Sequence, residues 1–328
     1  MSVPLSILDL ATVHTDGTIR ETLDASVDLA RHAEAWGYTR YWFAEHHNMP
    51  TVASSATSVL IGHVAGHTST IRVGAGGIML PNHSPLVIAE QFGTLETLYP
   101  GRIDLGLGRA PGGDMNMLRA LRRDPTASDH FPQDVVELQA LLGPAAQNQL
   151  VRAVPGAGTD VPLIILGSSL FGARLAAALG LPYSFASHFA PNALVDAVRA
   201  YRREYTPSEQ HPEPHVIAGM NVFAADTDAE AQDLYTAVLR ANAGRLTRRG
   251  LPLSDADADA LLSSPAGEQI RQMTRYSAVG APATIRDQVE EFARHADADE
   301  VIVATSAPTH ASRLRSYELL ADAMGMAG

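Results

Sequence analysis

The sequence predicts an α/β protein of the (β/α)8 class, a barrel of parallel strands ringed by helices. Three observations predict it. Eight short, apolar, β-prone runs alternate with segments of helical period along the chain. The predicted third and fourth strands end in glycine clusters, Gly74, Gly76 and Gly77 in one and Gly106 and Gly108 in the other, with Arg109 directly after. Glycine is weak strand material, so such clusters mark backbone that comes close to something, and in parallel α/β folds ligands sit at the carboxyl ends of the strands. The length, 328 residues, suits a barrel that forms one unit, and no linker, repeat or low-complexity tract divides it. One domain over 1–328 is therefore expected. A doubly wound open sheet is the alternative, because pattern does not show closure.

The elements follow in order. Residues 5–10 read as the first buried strand. Residues 18–35 read as a helix, with Leu23, Val27, Ala30 and Ala33 at helical spacing and Gly37 as its stop. A strand at 41–44 and a helix at 56–67 come next, then strands at 71–80 and 102–108 joined by a helix at 86–98. A helix at 133–142 leads to the strand at 161–166, bounded by Pro and Gly as buried strands are. A helix at 171–179, ended by Gly180, a strand at 183–186 and a helix at 193–205 follow. The seventh strand, 215–224, precedes a long helix at 227–248 capped by Asp226 or Thr227. The stretch 250–279 fits no βα unit and is expected to be an insertion, a candidate mobile lid. A helix at 284–295, a strand at 300–305 and a C-terminal helix complete the pattern.

Composition narrows the function. Hydrophobic residues make up 46% and charged residues 18%, as in ordinary globular enzymes. The net charge of −12 argues against a nucleic-acid partner. The densest basic cluster, Arg245, Arg248 and Arg249, reads as a solvated helix end. With no cysteine, disulfides, thiolate metal sites and a cysteine nucleophile are excluded, and a reducing cytoplasm suits the chain. The first residues lack the pattern of a signal peptide, and no apolar run is long enough to span a bilayer.

Several groups could carry chemistry. Glu45, His46 and His47 directly follow a buried strand, where a histidine can act as acid or base near neutral pH, or the cluster can serve structure alone. His63 and His67 lie one helical turn apart, but Val64 stands where a zinc protease carries glutamate, so no metal ligands are assigned. The run from Gly106 to Pro111 fails as a dinucleotide fingerprint, since Pro111 replaces the third glycine. Arg109 remains a ligand for an anion. Ser168 and Ser169 precede a helix, as ordinary caps or as part of a phosphate site built with the helix N-terminal N–H groups.

Four motifs stand in order at predicted strand ends: EHH at 45–47, IRVGAGGIMLPNHSP at 71–85, PGRIDLGLGR at 100–109, and LGSS with ALGLPY over 166–183. Together they resemble the bacterial luciferase-like family of flavin-dependent monooxygenases, most over 41–119 and 163–189 and least over 250–279. The resemblance implies a (β/α)8 barrel with FMN at its carboxyl end. It implies a non-proline cis peptide at Gly76 and Gly77 beneath the flavin ring. It makes Arg109 and Ser169 phosphate ligands, with Ser168 and the Gly172 N–H beside them and Arg119 as a further phosphate contact. It makes His46 the catalytic acid or base, and His47, His83 and His188 contacts of flavin or substrate. Light-emitting luciferases carry a reactive cysteine where this chain has Gly108 and an acidic residue where it has Ser168, so the wider oxidoreductase family fits better.

The implied activity is that of a cytoplasmic monooxygenase using reduced FMN and O2 on a small organic substrate. Its reductant would be NAD(P)H, directly or through a separate flavin reductase, and its assembly a homodimer. The alternatives are a deazaflavin-dependent dehydrogenase or a metal hydrolase on the same barrel, and a non-catalytic flavin-binding protein.

Overall fold

The computed structural model describes residues 3–14, 17–110, 113–247 and 253–326. Its strands are β1 (Leu5–Asp9), β2 (Arg40–Phe43), β3 (Arg72–Met79), β4 (Ile103–Gly108), β5 (Leu163–Gly167), β6 (Tyr183–Phe185), β7 (Val216–Ala224), β8 (Ser277–Gly280) and β9 (Glu300–Ala304). They pair in parallel in the order β6-β5-β4-β3-β2-β1-β9-β7, and β6 pairs back onto β7. Eight strands thus close into a barrel, which decides against the open sheet.

A ninth strand lies outside the closed ring. The stretch 250–279 holds two helices, Asp255–Leu262 and Pro265–Met273, and the start of β8. Among the described residues β8 pairs with the far half of β7, Asn221 to Ala224, which overlaps the part that pairs β9 at Asn221 alone. The two helices are seated on the helix Asp228–Thr247 through Ala243, Ala258 and Ile270 and through Arg240, which binds Asp255 and Asp259. That long helix starts with a reciprocal cap between Thr227 and Glu230, so Thr227 and not Asp226 is the cap. Of the basic cluster, the Arg245 side chain and all of Arg248 and Arg249 lie outside the described residues, as does Pro111.

Alternation along each strand makes two cores. Leu5, Ile7, Tyr41, Phe43, Val73, Leu105 and Val303 face outward against buried helix residues such as Leu29, Ile61, Ile88 and Phe92. Leu8, Trp42, Ala44, Ile164, Ile217, Ile302 and Ala304 fill the barrel itself. Below them the amino end of the barrel is closed by ions. Arg40 binds Glu300 through two nitrogens at 2.8 and 2.9 Å and Asp104 at 2.8 Å, and Arg72 and Trp42 Nε1 also reach Asp104. Asp104 and Glu300 are each about fully buried. The opposite, carboxyl end carries Glu45, His46, Arg109 and Ser169.

Three residues singled out in the sequence belong to this scaffold. Arg102 donates to the carbonyls of Ile71, Ala65 and Thr68 and so holds the end of the helix Thr57–Ala65. His63 and His67 are exposed, and His67 Nδ1 lies 2.7 Å from the His63 carbonyl oxygen within their own helix turn.

Candidate active site

At the carboxyl end of β2, alternation turns Ala44 into the barrel and leaves Glu45 fully buried behind it. One Glu45 oxygen, Oε1, lies 2.6 Å from His47 Nε2 and 2.8 Å from His83 Nε2. The other, Oε2, accepts the Met79 N–H at 3.0 Å. Burial pushes this carboxyl up, but the hydrogen bonds from His47 and His83, the charge of His83 and the Met79 N–H outweigh it and hold it below the usual range. Glu45 therefore joins the ends of β2 and β3, a role beyond that of a motif letter. The signal for it was present: a lone acid directly after a buried strand must find partners. Glutamate and two histidines can also ligate a metal ion. The spacing here is that of hydrogen bonds; ligands about 2.0–2.1 Å from a shared tetrahedral ion would stand roughly 3.3 Å apart.

His46 is set apart from that cluster. Its Nδ1 is shielded from solvent and has no hydrogen-bond partner among the described residues. Burial lowers its pKa, with the Glu45 charge opposing and His47 adding to the shift, so the ring is neutral at neutral pH. His188, from the loop after β6, is pushed down to about 4 by burial and by the neighbouring His46. Its Nδ1 is likewise without a partner among the described residues. The ring lies over Gly219 of β7, where a Cβ would come within 2.4 Å of Nδ1. Ser187 Oγ, donating to the Gly219 carbonyl, and Asn221 Nδ2, donating to the His188 carbonyl, both at 2.6 Å, fix this loop. Two neutral imidazoles thus occupy the barrel end, able to donate or accept a proton but carrying no charge.

A second cluster forms where β4 and β5 end. The Arg109 guanidinium lies over the Phe171 ring, 4.2 Å from its centroid, and meets no carboxylate among the described residues. Phe171 is in the first turn of the helix Leu170–Leu179, whose leading N–H groups have no acceptor within the helix. Ser169 is the N-cap residue, in extended conformation, but its hydroxyl makes no capping bond. Its carbonyl is held by the Tyr183 hydroxyl at 3.0 Å. Ser168 stands exposed beside it. Gly172 lets the helix start sit tightly on the sheet: a Cβ there would lie 3.3 Å from Tyr183 and 3.5 Å from Gly167. The result is an unneutralised cation next to an open helix N-terminus, a ready anion seat. Arg119 is exposed on the short helix Met115–Ala120 and makes no hydrogen bond or ion pair among the described residues.

The glycines of β3 and β4 are tightly packed. The peptide bond between Gly76 and Gly77 is cis, the feature the resemblance implies for this place. Yet the space these glycines leave is taken up by the chain itself. A Cβ on Gly76 would come within 2.9 Å of Leu8 and Trp42, and one on Gly77 within 2.5 Å of the Gly106 carbonyl oxygen. Gly74 and Gly106 likewise make room for Asp104 and for the Ala75 carbonyl. Close packing of two strands and the barrel core demands glycine here, whatever ligand lies above.

Comparison with known proteins agrees with this fold. A family model described as luciferase-like monooxygenase matches residues 3–299. A protein of Escherichia coli strain K12 named luciferase-like monooxygenase is 47% identical over 326 residues, covering 98% of this chain and 97% of its own. The crystal structure of apo-MsnO8 superposes with a TM-score of 0.90 at 36% identity, covering 99% of this chain and 98% of that one. The oxygenating constituent of 3,6-diketocamphane monooxygenase from Pseudomonas putida, solved with FMN, shares the fold at 17% identity and a TM-score of 0.73, covering 98% of this chain and 97% of that one.

Proposed function

The chain belongs to the luciferase-like monooxygenase family of flavin-dependent oxidoreductases, and we propose that it uses reduced FMN and O2 to oxygenate a small organic substrate. The observation that carries this reading is the anion seat at the same barrel end as a neutral histidine. Among the described residues Arg109 meets no carboxylate, and the first turn of the helix Leu170–Leu179 has no side-chain cap. These residues fit a phosphate monoester, the group that distinguishes FMN from riboflavin. That a protein of this fold was solved with FMN supports the choice of cofactor.

Bound there, reduced flavin supplies the electrons for oxygen activation, chemistry no side chain of this protein can provide. The chain's residues do the rest. Arg109, Ser169 and the N–H groups of Phe171 and Gly172 hold the phosphate, with Ser168 beside them. His46 holds or moves a proton at Nδ1, which is neutral and shielded from water. His188 presents a second uncharged nitrogen near it, suited to an uncharged polar group of the substrate. Electrons would reach the flavin from NAD(P)H, directly or through a separate reductase.

The test is titration with oxidised and reduced FMN, riboflavin and a deazaflavin, followed by mixing the reduced complex with O2. Micromolar FMN binding and oxygen uptake are expected. Failure to bind either redox form at micromolar concentration refutes the reading, and preference for the deazaflavin would favour a dehydrogenase. Arg109→Ala should weaken FMN by roughly ten- to a hundredfold and riboflavin hardly at all. Equal weakening would refute the phosphate assignment.

A further inference from the structure

We propose that Glu45 is a positioning residue that fixes which nitrogen of His47 and His83 carries a proton, leaving Nδ1 of each ring as the atom that can gain or lose one. Glu45 is fully buried, and its partners hold it ionised, so it can only accept hydrogen bonds. Oε1 faces both Nε2 atoms, at 2.6 and 2.8 Å. Each Nε2 must therefore bear hydrogen, whatever the charge on the ring. Oε2 is committed to the Met79 N–H at the end of β3, which fixes the orientation of the carboxylate. One buried acid thereby sets the protonation pattern of two imidazoles from different strand ends. His46, between Glu45 and His47 in sequence, bonds to neither oxygen.

The neutral isostere inverts this arrangement. In Glu45→Gln the Met79 N–H still needs an acceptor, so the amide oxygen takes the place of Oε2. The amide NH2 then points at both rings and offers one hydrogen to each. Both Nε2 atoms must become acceptors, and both protons move to Nδ1. A buried acid that orients an imidazole loses its effect on replacement by the amide through the same change of tautomer.

Long-range 1H–15N correlation spectra of the full-length protein, labelled at histidine nitrogen, read the tautomers directly. Wild type should show His47 and His83 protonated at Nε2, and Glu45→Gln should move both to Nδ1. An Nδ1–H tautomer of either ring in wild type, or tautomers that Glu45→Gln leaves in place, would overturn the proposal. So would a stoichiometric metal ion whose binding removes both Nε2–H signals. His83→Ala supplies an independent variant: His47 should keep its proton on Nε2, and a shift to Nδ1 would count against Glu45 as the determinant. Turnover of Glu45→Gln should fall at least about tenfold while FMN affinity stays within about twofold. Unchanged turnover with switched tautomers would overturn the catalytic part. Only this arm rests on the flavin reading. Failure of FMN to bind wild type would count against that reading and leave the tautomer comparison intact.

Discussion

Arg40→Met tests the ionic floor of the barrel. Arg40 is the cation that joins two buried carboxylates from distant parts of the chain, with bonds of 2.8 and 2.9 Å to Glu300 and 2.8 Å to Asp104. Methionine keeps much of the volume and removes the charge. Asp104 would retain Arg72 and the Trp42 N–H. Among the described residues Glu300 would retain only the Ser6 hydroxyl and His215, whose Nε2 lies 3.4 Å away. Glu300 thus becomes the nearly uncompensated charge, and breaking a buried pair from one side costs about 3–5 kcal/mol. Urea unfolding at neutral pH should show that loss as a lower midpoint with little change in slope. Arg40→Met/Glu300→Gln removes the stranded charge and should recover a large part of the loss.

The pH dependence has a definite sign. Burial pushes the Glu300 carboxyl up, but hydrogen bonding from His215, the Arg40 charge and the Ser6 and Arg40 bonds hold it below its ordinary value in the folded protein. Its contribution to stability is then complete above the unfolded value of about 4.3 and is lost as pH falls through the folded value. The gap between wild type and Arg40→Met should be full at pH 7 and narrow below about pH 4. A loss under about 1 kcal/mol at neutral pH, or a double variant no more stable than the single one, would refute the reasoning.

Two further outcomes bear on the site. His46→Ala should cut turnover at least about a hundredfold with FMN affinity little changed, and steady-state rates beside flavin titrations would separate the two effects; unaltered turnover removes His46 from the chemistry. Histidine NMR titration should place the His188 midpoint near 4, so that its ring stays neutral under working conditions, and a midpoint above the ordinary histidine value would show that the ring is neither buried nor beside His46.

The alternation of strands and helices was legible because parallel strands buried on both faces read as apolar runs between amphipathic segments. The eight barrel strands fall where those runs stand, with ends shifted by a residue or two. β8 was not legible. Four residues, SAVG, carry no period of their own, and their strand exists only because β7 runs past the barrel and offers an edge. The positions of Arg109, Ser169 and His46 at strand ends were also readable, since each follows directly on an apolar run. Arg119 lies exposed on its short helix and has no hydrogen bond or ion pair among the described residues, so its partner was not legible from the sequence.

The sequence by itself determined the class of fold and the residue types that gather at the carboxyl ends of its strands. Only the tertiary structure decided which partners those residues meet. The glycines that open β3 and β4 serve Leu8, Trp42 and the neighbouring strand. Adjacent histidines divide, His47 bonding to Glu45 while His46 Nδ1 has no partner among the described residues. Phe171, unremarked in the sequence, supplies the surface on which Arg109 lies. The physical reason is the same in each case. Hydrophobic period and punctuation are local properties of the chain, whereas the partner of a buried charge, an imidazole nitrogen or a missing Cβ comes from another strand and exists only once the barrel has closed.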